Sequence, residues 1–280
     1  MARAVSLREA ARSVAPIERG FVESHGSRIA WKLYGEGDRV VLFIPTWNLV
    51  DSRVVAHQVA FLARRTRVLT YDPRGAGLSD RPSTGYGFQE HSDDARAVLD
   101  ANNVDRAAIV PASRGVNSAV LLAAGHSERV ERLAVIAPYM QLDPPRPDET
   151  RQARERRAVI WRSDWPGFAR AFMEQVFSEP NSRETIEELV EIALDASPEV
   201  LIQQELELDW EVAPPLLGQV RCPTLVIHGT GDRTTPVDMV RAVAAAIPDA
   251  RLELIEGAGH RPDIRDPERV NRLLSEFGLG

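Results

Sequence analysis

The sequence predicts an α/β protein: an eight-stranded, mostly parallel sheet with helices on both faces and one helical interruption. Three observations predict it. Short apolar, β-branched runs alternate with amphipathic helical stretches along most of the chain. The runs "RVVLFIP", "RLAVIAP" and "PTLVIHG" are apolar without a polar alternate face, as strands covered on both sides must be. The alternation lapses once, from residue 139 to about residue 218, where no strand signal occurs.

In chain order, the opening 20 residues are rich in Arg and Ala but lack the apolar stretch of a secretory signal, so they read as a surface helix or loose tail. Strands at 21–25 and 28–35 are placed to form a hairpin across "SHGS". Next come a strand at 39–45, a helix at 52–65, a strand at 66–72 and a helix at 91–104. A strand at 106–111, a helix at 114–125 and a strand at 132–138 complete the first half. The second half resumes with a strand at 223–229, a helix at 237–247, a strand at 250–256 and a helix at 266–277. Between the halves, Pro-rich "DPPRPDE" and "APPLLG" punctuate a segment with helical stretches at 148–161, 165–178, 182–196 and 198–210. Asp164 and Ser182 are its candidate N-caps. We therefore divide the chain into a core, residues 1–138 and 219–280, and a helical cap at 139–218 over the C-terminal edge of the sheet.

Composition narrows the function. At 280 residues, 44% apolar and 27% charged, the chain suits one large core with an appended lobe. A net charge of −7 argues against holding nucleic acid or an anionic membrane by bulk charge. Cys222 is the sole cysteine, so no internal disulfide can form. No apolar run reaches the roughly 18 residues that span a bilayer, and a cytoplasmic location is expected. No HExxH, Cys/His cluster or P-loop is present, and "GAG" at 75–77 lacks the third glycine of a dinucleotide fingerprint. No metal or cofactor is expected, the partner is a small-molecule substrate, and the oligomeric state is left open.

Open parallel sheets bind ligands beyond the carboxyl ends of their strands, so the loops there are the place to look for chemistry. The strand ending at Val110 is followed by Pro-Ala-Ser-Arg-Gly with Ser113. The strand ending at Ile227 is followed by "HGTGDRTTP" with Asp232, and the strand ending at Ile255 by "EGAGHRPD" with His260. A serine hydroxyl is a weak nucleophile at neutral pH unless a base takes its proton. An imidazole accepts and returns protons near neutrality, and a carboxylate fixes its tautomer and stabilises the imidazolium. Asp143, after the sixth strand, is the fallback acid. His25, His57, His91 and His126 lie in surface-like helical or turn contexts, and His228 is expected to pack at a strand end.

At these residues the chain resembles the α/β-hydrolase superfamily. "YDPRGAGLSDRP" at 71–82 is similar to the family's loop after its fourth strand. "SRGVNSAVLLAAGHSERVERLAVIAP" is similar to the nucleophile elbow with its following helix and strand. "LVIHGTGDRTTP" resembles the acid loop, and "EGAGHRPDIRDPERV" the histidine loop and last helix. The resemblance covers nearly the whole chain and implies Ser113 as nucleophile, Asp232 as acid and His260 as base, with a cap after the sixth strand. Two departures stand out. Pro111 replaces the first glycine of G-x-S-x-G; lacking an N–H, it suits the last residue of a strand. In "FIPTWNLVDSR", Pro45-Thr46 replace the family's usual His-Gly. The oxyanion donors implied are main-chain groups, the N–H of Trp47 and of Arg114, and survive a change of side chain.

The Trp47 side chain has two open readings, core packing under the cap or lining the pocket, and the Arg114 side chain is read as a salt-bridge partner. Trp161, Trp165, Phe168, Phe172, Met173, Phe177 and Trp210 supply the cap's apolar bulk. Most should be core; Trp165 and Phe168, with Thr46, Trp47, Tyr139 and Met140, are the candidate substrate contacts. The expectation is a serine hydrolase that cleaves a carboxylic ester, lactone or thioester of a medium-sized apolar substrate through an acyl-enzyme. Two alternatives stay open. The same residues could serve C–C cleavage, acyl transfer, perhydrolysis or cofactor-free oxygenation, or the fold could be a binding scaffold with slow chemistry.

Overall fold

The computed structural model describes residues 5–143 and 147–280. The Pro-rich stretch at 144–146, read as the entry to the helical segment, lies outside them. Eight strands form one sheet: β1 (Glu18–Ser24), β2 (Ser27–Tyr34), β3 (Val40–Ile44), β4 (Arg67–Tyr71), β5 (Ala107–Pro111), β6 (Val130–Ile136), β7 (Thr224–Gly229) and β8 (Ala250–Ile255). Their order is β1-β2-β4-β3-β5-β6-β7-β8. β1, β2 and β4 pair antiparallel, and every pair from β4 onward is parallel. The β1–β2 hairpin turns on His25 and Gly26, at φ 49° and 70°, the left-handed pair that a two-residue turn between twisted strands requires.

The helices are α1 (Leu7–Ser13), α2 (Ala56–Leu62), α3 (Phe88–Ala101), α4 (Gly115–Gly125), α5 (Pro147–Ser163), α6 (Trp165–Val176), α7 (Arg183–Leu194), α8 (Pro198–Glu207), α9 (Val237–Ala246), α10 (Pro262–Arg265) and α11 (Pro267–Glu276). The continuous apolar runs are explained by burial on both faces. In β3, Val40, Leu42 and Ile44 face a core shared with α3, α4 and α9. Val41 and Phe43 face the opposite core, shared with α2 and α11. Single-turn 3₁₀ structure at Ser52–Val55 replaces the start of the helix expected at 52–65. Helix α3 starts and stops three residues before the expected 91–104; Asn103, at φ 51°, turns the chain out of it.

Between β6 and β7 the chain leaves the sheet for α5–α8, which enclose a separate apolar cluster with the loop after β3: Trp47, Leu49 and Val54 against Trp161, Met173, Val176 and Leu189. Asp164 caps α6 by accepting from Gly167 N at 2.9 Å, as expected. Ser182 makes no such cap on α7; its hydroxyl instead donates to Glu179 O at 2.7 Å. The N-terminal tail includes a true helix. Ser6 and Glu9 form a reciprocal capping box on α1, and Leu7 N and Arg8 N donate to the Glu188 carboxylate at 3.0 and 2.6 Å.

Glutamates fasten the helical segment to the rest of the chain elsewhere too. Glu179 accepts from Gly259 N at 2.8 Å. Glu207 accepts from Gly85 N and Tyr86 N, each at 2.6 Å. Glu205 of α8 receives Nη1 of Arg114 at 2.5 Å and Nη2 of Arg157 at 3.1 Å. Burial alone would raise the Glu205 carboxyl, but the two guanidinium charges outweigh it and hold the group below the usual range.

Candidate active site

Strand β5 delivers Ser113 to the C-terminal edge of the sheet in a strained turn. Ser113 sits at φ 50°, the left-handed region that non-glycine residues enter at a cost of about 1–3 kcal/mol. The strain is held from both sides: Ser113 N donates to Ile136 O at 2.9 Å, and Ser113 O accepts from Tyr139 N at 3.1 Å. Gly115 is required on the helix side, since a Cβ there would lie 2.4 Å from Pro45 O. Pro111 is accommodated on the strand side. It ends β5 opposite Ile44 of β3. The β5–β6 ladder lapses after Ile109 and returns as one bridge, Ala112 to Ile136, in the same register. The gap spans the residue without an N–H donor.

Strands β7 and β8 bring the other two residues to the same place. Gly229 permits their loops to touch, because a Cβ there would meet Ala258 O at 2.2 Å. His260 Nε2 lies 2.8 Å from Ser113 Oγ, and His260 Nδ1 lies 2.7 Å from Asp232 Oδ2. The other Asp232 oxygen accepts from Thr234 N and Thr235 N at 2.6 and 3.0 Å. Burial would raise the Asp232 carboxyl, but the hydrogen bond and charge of His260, with the two amides, keep it below the usual carboxylate range. Asp143 is exposed in the loop after β6, and the imidazole it was to orient is already taken by Asp232.

A cavity of about 190 Å³ opens over Ser113 and His260. Thr46, Trp47, Arg114 and Tyr139 line it from the sheet side; Phe172, Met173, Val176 and Leu189 line it from the helical segment. The amides of Trp47 and Arg114 donate to no other described residue. Trp47 satisfies both readings of its side chain. It lines the cavity and also packs edge-on against Phe172 and Phe168, with centroids 5.0 and 6.3 Å away. Arg114 is the salt-bridge partner expected, on Glu205.

Three expected contacts do not line the cavity. Met140 is fully buried in the sheet core with α4 and α9. Trp165 and Phe168 pack against each other with tilted rings at 5.6 Å, and Phe168 likewise against Trp161 at 5.2 Å. They lie on the same helical stripe as Phe172, but four and seven residues earlier, past the end of the cavity. Phe172, Met173 and Val176 take their place. His57 and His91 are buried rather than surface residues, at 7% and 8% exposure, and burial pushes His91 down to about 4. His228 is sealed off under the site, its Nδ1 3.7 Å from Asp232 Oδ2. Burial lowers its pKa, which favours the neutral ring there.

Comparison with known proteins gives one family. A family model described as alpha/beta hydrolase fold matches residues 39–262. Among curated relatives, a putative carbamate hydrolase, RutD, of Caulobacter sp. strain K31 is 29% identical over 242 residues, covering 80% of this chain and 85% of the relative. Among solved structures, a thermophilic esterase from Thermogutta terrifontis is 26% identical with a TM-score of 0.81, covering 93% of this chain and 97% of the other. Est816, described as an N-acyl homoserine lactone degrading enzyme, is 29% identical with a TM-score of 0.79, covering 92% and 100%. Among the described residues no helix is long and apolar enough to cross a membrane. With a family match over most of its length and the sheet order beneath it, the chain belongs to the alpha/beta hydrolase fold family.

Proposed function

We propose that the protein hydrolyses a carboxylic ester or lactone with Ser113 as nucleophile. The observation that carries this reading is the unbroken relay from Ser113 Oγ through the His260 imidazole to the Asp232 carboxylate, at 2.8 and 2.7 Å. In this reading His260 Nε2 takes the hydroxyl proton as Oγ attacks the carbonyl carbon, and Asp232 stabilises the imidazolium. The carbonyl oxygen, now an oxyanion, is held by the amides of Trp47 and Arg114, which have no partner among the described residues, each such donor contributing about 2.7–4 kcal/mol to the transition state. Collapse gives the proton back to the leaving alkoxide and leaves an acyl group on Ser113. Water, deprotonated by the same imidazole, then releases the acid.

The similar proteins, an esterase, an N-acyl homoserine lactone degrading enzyme and a putative carbamate hydrolase, support acyl transfer to water as the reaction class. The cavity also revises the expected substrate. At about 190 Å³ it falls below the roughly 300–1,000 Å³ typical of sites for drug-sized ligands, so it fits a short acyl group rather than a medium-sized one. In this reading residues 139–218 act as the cap, giving one wall to that acyl site. The test is Ser113→Ala assayed on p-nitrophenyl acetate and butyrate. We expect turnover to fall at least about 10³-fold with an unchanged circular dichroism spectrum; retained turnover overturns the assignment. Rapid covalent labelling of Ser113 by a fluorophosphonate separates an enzyme from a binding scaffold.

A further inference from the structure

Arg114 follows the proposed nucleophile directly, and its side chain is only partly used. Five other arginines, Arg28, Arg53, Arg74, Arg162 and Arg261, each present the Nε–Nη2 edge of the guanidinium to a carboxylate as a two-pronged fork. Arg114 gives Glu205 a different atom, Nη1. Its Nε and Nη2 have no partner among the described residues and are not among the sealed, unpaired polar atoms. The guanidinium carbon lies over three aromatic rings, with Trp47, Trp210 and Tyr139 centroids 4.3, 5.2 and 5.6 Å away. Two of those rings line the cavity. The guanidinium is packed among these rings, and the edge that binds carboxylates elsewhere in this molecule has no partner among the described residues, on a residue that lines the cavity together with Ser113.

The local charge points the same way. Glu205 is shared between Arg114 and Arg157, so one carboxylate faces two guanidiniums. Two cationic residues, Arg114 and Arg261, line the cavity, and no lining residue is acidic. Arg261 has its fork filled by Asp263, at 2.8 and 2.6 Å. That leaves Arg114 as the lining cation with an open fork.

We propose that Arg114 receives a carboxylate carried by the substrate, so that the preferred acyl group is the short half-ester of a dicarboxylic acid, or the matching carboxylated lactone. This rests on Ser113 as the site of acyl transfer. The apolar wall of Phe172, Met173, Val176 and Leu189 covers the methylenes, and the fork fixes the far end of the chain.

The test compares p-nitrophenyl hemiglutarate with p-nitrophenyl methyl glutarate, the same chain with its charge masked. The native protein should show at least a tenfold higher kcat/KM for the hemiglutarate, carried mainly by KM and shrinking as salt is raised. In Arg114→Gln the ratio of the two should fall to near one. An arginine that served only to tether α8 would change both substrates alike and preserve the ratio. A native ratio near one, or a ratio unchanged in Arg114→Gln, overturns the proposal. Calorimetry on Ser113→Ala reads the same question without turnover: the hemiglutarate should bind at least tenfold tighter than its methyl ester, and equal binding overturns the proposal. Hydrolysis of both esters without preference leaves the hydrolase reading standing and removes only this one. Preferential binding without hydrolysis of either ester overturns the hydrolase reading and the acyl-group proposal with it, leaving only carboxylate binding at Arg114.

Discussion

Ser113 is held at φ 50° by hydrogen bonds on both sides of its peptide and by a glycine two residues on that nothing larger can replace. A hydroxyl so placed projects from the turn toward His260, and the imidazole is fixed in turn by a carboxylate whose second oxygen is bound to two amides. Replacing Asp232 by Asn leaves this frame in place but permits the wrong imidazole tautomer. We expect kcat on p-nitrophenyl esters to fall roughly 10⁴-fold with little change in melting temperature; a loss under tenfold would show that Asp232 does not orient His260. These three residues were legible in the sequence because each follows a recognisable strand, and parallel strands deliver their C-terminal loops to one edge. Trp165 and Phe168 were misread because sequence gives the face of a helix but not the position along it where a cavity ends, and Met140 because its loop after β6 turns it into the sheet core. Nothing in the sequence separated buried His57 and His91 from surface histidines, because what covers them comes from distant segments.

Among the elements, the strands and the extent of the helical segment were readable from apolar runs and proline punctuation, while helix termini shifted by a few residues. Helix α1 had a readable signal, Ser6 and Glu9 in capping-box spacing, within a stretch whose composition resembled a tail. The joint between α3 and α8 was not readable, since it depends on Gln204 Nε2 meeting His91 Nε2 at 3.5 Å across 113 residues of chain. This joint gives a pH dependence with a definite sign. Burial pushes folded His91 down to about 4, whereas the unfolded chain titrates near 6.5. Between those values the unfolded state binds a proton that the folded state refuses, so stability declines as pH falls from about 6.5 toward 4. The loss from this residue is on the order of 3 kcal/mol at its fullest. Urea unfolding of His91→Gln at pH 7 and pH 4.5 should show a distinctly smaller decline than the native protein; an equal decline would assign the effect to other groups.

For the molecule as a whole, two kinds of attachment coexist. The sheet and its flanking helices are joined by apolar burial on both faces. The segment α5–α8 shares an apolar cluster with the loop after β3, and many of its polar attachments to the surrounding chain run through carboxylates, among them Glu179, Glu188, Glu205 and Glu207. Protonation weakens the second kind and leaves the first untouched. Acid should therefore undo the molecule in stages. A brief exposure to pepsin over a descending pH series should first nick the chain between residues 139 and 218, while a core resistant to digestion survives. Simultaneous degradation of every part would mean that the two attachments fail together. A host whose surroundings turn sour would lose the apolar roof over the cavity before it lost the scaffold that carries the serine.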